Sequence, residues 1–137
     1  IQALQDNVLE AIATDHAPHS KEEKEQSMLK APFGIVGSET AYALTVTELV
    51  RTGKLTMMQL VERMSASPAK ILGINKGSLQ VGMPADITIA DTDSTWVIDP
   101  EKFYSKGKNT PFGGKTVYGN VYYTIADGEI VYSQEEK

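Results

Sequence analysis

The sequence contains no cysteine in 137 residues. That excludes a disulfide scaffold, a thiolate metal site and a cysteine nucleophile. Histidine is scarce as well, with two residues, and tryptophan appears once. Two imidazoles fall short of the ligand set a hydrolytic metal centre needs. Positive charge is in deficit, with 13 Lys and Arg against 18 Asp and Glu and a formal net charge of -5. A nucleic-acid surface or a polybasic membrane anchor would need clustered Lys and Arg, so neither partner is expected. No apolar run approaches the roughly 20 residues that span a bilayer. The opening residues do not read as a secretory leader, and the lack of cysteine fits a cytoplasmic protein.

What is present is ordinary for a soluble globular chain: 41% hydrophobic and 23% charged residues, enough for one modest core. The chain opens at Ile1 directly in a helical pattern, with Ile1, Leu4 and Val8 on one face. That abrupt start predicts a piece of a longer protein. Leu9 to Thr14 is a short run in which Ala11, Ile12 and Ala13 are uninterrupted by charge, as in a strand buried on both faces of a parallel sheet. It ends at Asp15-His16-Ala17-Pro18-His19, where Pro18 cannot donate to a ladder. A long loop is expected over 20–37, its charged part Lys21 to Glu25 solvated.

Ser38 is the expected N-cap of a helix running to about Thr52, with Tyr42, Val46, Leu49 and Val50 as its apolar stripe. Thr56 and Gln59 form a capping box for the next helix, which places Met57, Leu60, Val61 and Met64 on one face. Ser67-Pro68 reads as the start of a third, ending near Gly73. After Lys76 the pattern turns to strands: 86–91, 96–98, 117–125 and 129–132, the last two joined by the hairpin pair Asp127-Gly128. A buried strand, polar residues at its C-terminal end, then a helix make the unit of a (β/α) barrel, whose reactive groups sit at that end.

Asp15 is therefore the leading catalytic candidate. A carboxylate there could ligate a metal, or take a proton from activated water and pass it to a leaving nitrogen. The plainer reading is a capping residue of a loop or helix. His16 and His19 make a poor metal pair with Pro18 between them. His19 suits donation to an anionic substrate, and His16 suits a structural hydrogen bond to a neighbouring loop. Gly34, beside Phe33, would let backbone groups approach a ligand, though an ordinary turn explains it too.

Ile12-Ala13-Thr14-Asp15-His16-Ala17-Pro18-His19 resembles the second signature of class I, bacterial-type dihydroorotases, in the amidohydrolase superfamily. The likeness continues through 30–40, Ser67-Pro68-Ala69, 77–79, 82–86, Asn109-Thr110-Pro111-Phe112 and 117–119. It implies an α/β fold: the C-terminal part of a TIM barrel over residues 1–75, then part of a small composite β-sandwich over 76–137. It also implies reversible cyclisation of N-carbamoyl-L-aspartate to L-dihydroorotate in pyrimidine biosynthesis, in a homodimer. Two zinc ions would serve each complete site. Asp15 would be catalytic and a zinc ligand, His19 would bind the substrate carboxylate, and Phe33 and Gly34 would touch substrate through their backbone. The family's H-x-H pair, bridging residue, further histidines and substrate-binding Arg and Asn have no counterpart in this sequence. The chain alone is thus expected to be inactive and to need the missing N-terminal part of the same protein. The alternatives are another cyclic amidohydrolase (hydantoinase or allantoinase) and a non-catalytic dihydroorotase-like interaction subunit.

Overall fold

The computed structural model describes residues 1–134. Five short α-helical segments precede three strands. α1 spans Gln2–Gln5 and α2 Lys21–Lys24. α3, Ala41–Thr45, continues into a π-helical turn over Val46–Val50. The hydroxyls of Thr45 and Thr47 bond back to the carbonyls of Ala41 and Ala43, and that of Thr52 to Glu48. Such bonds compete with the regular ladder and loosen it.

α4, Met57–Val61, runs through a second π turn, Glu62–Ala66, into α5, Ser67–Leu72. The Thr56–Gln59 capping box forms as expected, and Gly73 ends the helix in the left-handed region. Ser67 does not cap a separate helix, because the backbone is already helical when it arrives there. Pro68 thus lies inside a continuous helical run, where it cannot donate to the ladder, and the π turn Glu62–Ala66 just before it is where the regular spacing gives way. On this helix Leu60 is buried and Val61 exposed, so the expected face is rotated toward Leu60, Arg63 and Ala69.

β1 is one strand, Ile87–Val97, where the sequence predicts two. The interruption is a bulge: register shifts between Asp91 and Thr95, where the Asp91 carboxylate accepts the N–H of Asp93 at 2.7 Å. β2, Thr116–Ala126, pairs antiparallel with β1 and with β3, Glu129–Ser133, giving the order β1-β2-β3. Asp127 and Gly128 both take positive φ, 50° and 87°, as a two-residue hairpin requires.

Helix and sheet share one core. Val36 and Ala43 from the first part of the chain pack with Ile98, Phe103 and Val117 from the second, with Leu44, Trp96 and Phe112 at its edge. One hydrogen bond ties the sheet to the helical part, the Thr47 hydroxyl accepting the N–H of Tyr118 at 2.8 Å, and within the sheet the Trp96 indole donates to the Gly119 carbonyl at 2.9 Å. Among the described residues no helix is long and apolar enough to cross a membrane.

The predicted buried strand at 9–14 does not form. The run carries no ladder, and Leu9 is half exposed. No strand lies beside it among the described residues; its support is the N–H of Ile12 donating to the Arg63 carbonyl and that of Leu9 to Ala3. An apolar run becomes a buried strand only when neighbours satisfy its backbone on both sides.

Candidate active site

The residues singled out from sequence converge on one feature: two loops, 15–19 and 33–37, laid against each other. The N–H of Ala17 donates to the Ile35 carbonyl at 2.8 Å. At the next residue but one, the His19 ring nitrogen Nε2 lies 2.9 Å from the Phe33 carbonyl oxygen and donates to it. Nδ1 of the same ring lies 3.6 Å from Glu23 Oε2. His19 in this arrangement is engaged on both sides, and a substrate anion would take the place of one of those partners.

Gly34 makes the close approach possible. Its φ is 109°, and a Cβ built on it would stand 2.4 Å from Cβ of Ala17. The Phe33 side chain is exposed. The N–H groups of Phe33 and Gly34 donate to nothing among the described residues, so two adjacent donors remain available. Backbone donors of this kind, held by their loop, suit an anionic oxygen.

Asp15 sits at the start of the turn with φ 44°, a left-handed conformation that Asp tolerates better than most residues. Its side chain is exposed, and it lines neither the cleft between Asn7, Glu10 and Lys70 nor the one between Tyr42, Trp96 and Val121. Among the described residues no strand carries a wall over the turn, so the carboxylate stands on an open surface. His16 plays the structural role expected of it. Its Nδ1 accepts the N–H groups of Gly37 at 3.0 Å and Ser38 at 3.2 Å, which fixes the tautomer with the proton on Nε2.

Three contributors escaped the sequence reading. The charged stretch after Ser20 is a helical turn, α2, closed by a capping box between Ser20 and Glu23. The S-x-x-E pattern was the available signal. Glu22 in that first turn is held below the usual carboxylate range by its backbone N–H and the Ser20 hydroxyl. Lys24, on the inner side of the same turn, donates to the carbonyls of Pro32 at 2.9 Å and Gly34 at 3.2 Å. Thr40, buried, precedes α3 in place of Ser38. Asn109 reaches both loops from the far end of the chain.

As to metal, no group of three or more His, Asp or Glu able to hold an ion occurs among the described residues. His16 has given its Nδ1 to the backbone and His19 its Nε2. Asp15 is the one uncommitted carboxylate at the turn, so the donors of this chain do not by themselves fit a two-metal centre.

Loop geometry of this kind gains its meaning from the class of protein it occurs in. The amidohydrolase family matches residues 1–131, and the chain belongs to that family. Its curated relatives include dihydroorotases. The enzyme of Clostridioides difficile (strain 630) is 52% identical over 133 residues, which is 97% of this chain and 31% of that protein. The dihydroorotase of Acetivibrio thermocellus is 50% identical over 131 residues, again 31% of its length. Among solved structures, an L-hydantoinase (dihydropyrimidinase) from Arthrobacter aurescens matches at a TM-score of 0.90 and 35% identity, covering 96% of this chain and 30% of that one. The dihydropyrimidinase of Brevibacillus agri NCHU1002 gives 0.90 at 29% identity. This chain thus spans about a third of the length of the relatives it resembles.

Proposed function

We propose that this chain is the substrate-carboxylate side of a dihydroorotase, the enzyme that interconverts N-carbamoyl-L-aspartate and L-dihydroorotate. The observation that carries the reading is the set of dihydroorotases between 49% and 52% identical over 96–100% of the chain. The solved hydantoinases share the fold at 25–35% identity, a weaker likeness in sequence.

In this reading residues 1–75 close a TIM barrel and 76–137 belong to the small β-sandwich beside it. Residues 135–137 of that second unit lie outside the described residues. The exposed apolar surface of Val8 and Leu9 supports a place against further strands of the same protein. Asp15 is the proton carrier: in ring opening it accepts a proton from the attacking water and delivers it to the departing ring nitrogen. Its exposure to the open side of the turn leaves the carboxylate free for that exchange. His19 and the N–H groups of Phe33 and Gly34 bind the substrate carboxylate. The resemblance implies zinc, which would supply the activated water, and Asp15 would be this chain's one ligand to it. The complete enzyme is expected in the cytoplasm as a homodimer.

The direct test is to assay the full-length protein on dihydroorotate, hydantoin and allantoin. Turnover of dihydroorotate well above the other two is the expected result. A preference for hydantoin would favour the hydantoinase reading, and loss of all turnover with no bound metal would favour a non-catalytic subunit.

A further inference from the structure

Asn109 lies between the 3-10 turn Pro100–Lys102 and β2, and its side chain reaches back 75 to 92 residues to the two loops it touches. Its side-chain oxygen accepts the N–H of His19 at 3.1 Å. Its side-chain nitrogen donates to the carbonyl of Ala17 at 3.0 Å and to that of Gly34 at 3.2 Å. Its own carbonyl accepts the N–H of Val36 at 3.0 Å. One residue therefore grips both loops, and the two groups assigned to the substrate carboxylate hang from the same amide. The strand of loop that carries it lies flat on the first of them: a Cβ on Gly107 would stand 2.8 Å from Pro18 Cβ and 3.0 Å from Asn109 Oδ1.

We propose that Asn109 is a positioning residue that sets the distance between the His19 ring and the Phe33–Gly34 donors, and with it recognition of the substrate carboxylate. The inference rests on the dihydroorotase reading above. The chemistry asks for an amide. The position needs one acceptor and two donor hydrogens on a short, planar group. Alanine provides neither. Aspartate keeps the acceptor for His19 but sets a carboxylate oxygen against two carbonyls. The hydrogen bonds of Asn109 go to Ala17, His19, Gly34 and Val36 and none to Asp15 or to the His16 ring, which Gly37 and Ser38 hold, so a change at Asn109 acts first on the carboxylate-binding end of the site.

The experiment uses the full-length protein and its Asn109→Ala and Asn109→Asp variants. In Asn109→Ala, KM for dihydroorotate should rise about tenfold or more, the scale of losing one hydrogen bond to a charged group, while kcat stays within about threefold. Asn109→Asp should be worse near neutral pH and recover toward the alanine variant as acid neutralises the new carboxyl. A mere structural defect would lower kcat and thermal stability together, without the KM split or the pH-dependent recovery. Unchanged KM in both variants, or an aspartate variant that tracks alanine at every pH, would overturn the proposal. If the wild-type protein shows no activity on dihydroorotate, the functional reading fails on its own. Positioning is then read from the 15N resonances of the His19 ring, assigned with His19→Gln: they should move in Asn109→Ala, and unmoved resonances would sink it.

Discussion

Nδ1 of His16 lies 3.0 Å from the backbone nitrogen of Gly37 and accepts its hydrogen, with the N–H of Ser38 sharing the same lone pair at 3.2 Å. The residue next to the candidate proton carrier is thus tied by its ring to the entrance of α3. An asparagine oxygen can stand near the position of Nδ1, whereas alanine leaves both donors without an acceptor. His16→Ala should destabilise the protein by about 1–3 kcal/mol, the range for stranding part-buried donors, and lower turnover by loosening Asp15. His16→Asn should restore much of both. Thermal unfolding and kcat of the full-length variants check this, and an asparagine variant no better than alanine would contradict it.

Asp15→Asn keeps the size of the side chain and removes its basicity. Turnover of the full-length enzyme should fall by at least ~10²-fold, the scale for losing a general acid–base. Substrate affinity, measured by binding of dihydroorotate to the variant, should change little. Near-normal turnover would remove Asp15 from the mechanism.

Gly34→Ala tests the seam between the loops. The new Cβ meets Ala17 Cβ at 2.4 Å, and φ of 109° is foreign to alanine. Strain of about 1–3 kcal/mol is expected from the backbone alone, so the midpoint of urea unfolding should drop and KM should rise. His19→Ala, which removes no steric keystone, should raise KM with little loss of stability. Equal stability of the two variants would show that the loops part more easily than their contacts imply.

Arg63 is 2% exposed, in the π turn that follows α4. Its Nη2 donates to the Leu4 carbonyl at 3.0 Å, Nη1 lies 3.3 Å from Glu62 Oε2, and its main-chain carbonyl receives Ile12. It therefore anchors the segment leading to Asp15. Arg63→Ala should cost about 2–5 kcal/mol, through a cavity and an orphaned carbonyl. Arg63→Met, which refills the volume, should cost clearly less. Chemical denaturation of both variants distinguishes packing from hydrogen bonding as the main term.

Asp86 joins two points of the chain: it pairs with Lys76 and accepts the N–H of Asp127 at the hairpin. The Lys76 hydrogen bond, then the Asp127 N–H, holds its carboxyl below 3.8, and Asp86 in turn raises Lys76 above 10.5. The lowered carboxyl contributes stability above its unfolded value and loses it as pH falls through the folded one. The raised amine contributes below 10.5 and loses it as pH rises past its folded value. Asp86→Asn should therefore lower Tm at neutral pH and converge with wild type in acid well below 3.8. A difference that persists undiminished in strong acid would show that the pair is not its source.

Local chemistry wrote part of this structure into the sequence. The Thr56–Gln59 box, the stop at Gly73 and the Asp127-Gly128 hairpin each depend on residues within a few positions, and each forms where read. The turn Asp15–His19 and the Phe33–Gly34 pair stood out for the same reason: Pro, Gly, His and Asp have narrow conformational or chemical uses. Tertiary structure decided the rest. Leu9–Thr14 reads as a buried strand, yet a strand is defined by its neighbours, and none flanks it among the described residues. Lys24 looked like solvated charge until the turn of α2 aimed it at two carbonyls. Asn109 belongs to one of the segments that carry the family likeness, but nothing local assigns it a role, because its partners lie 75 to 92 residues away and only the folding of sheet onto helix brings them within hydrogen-bond reach.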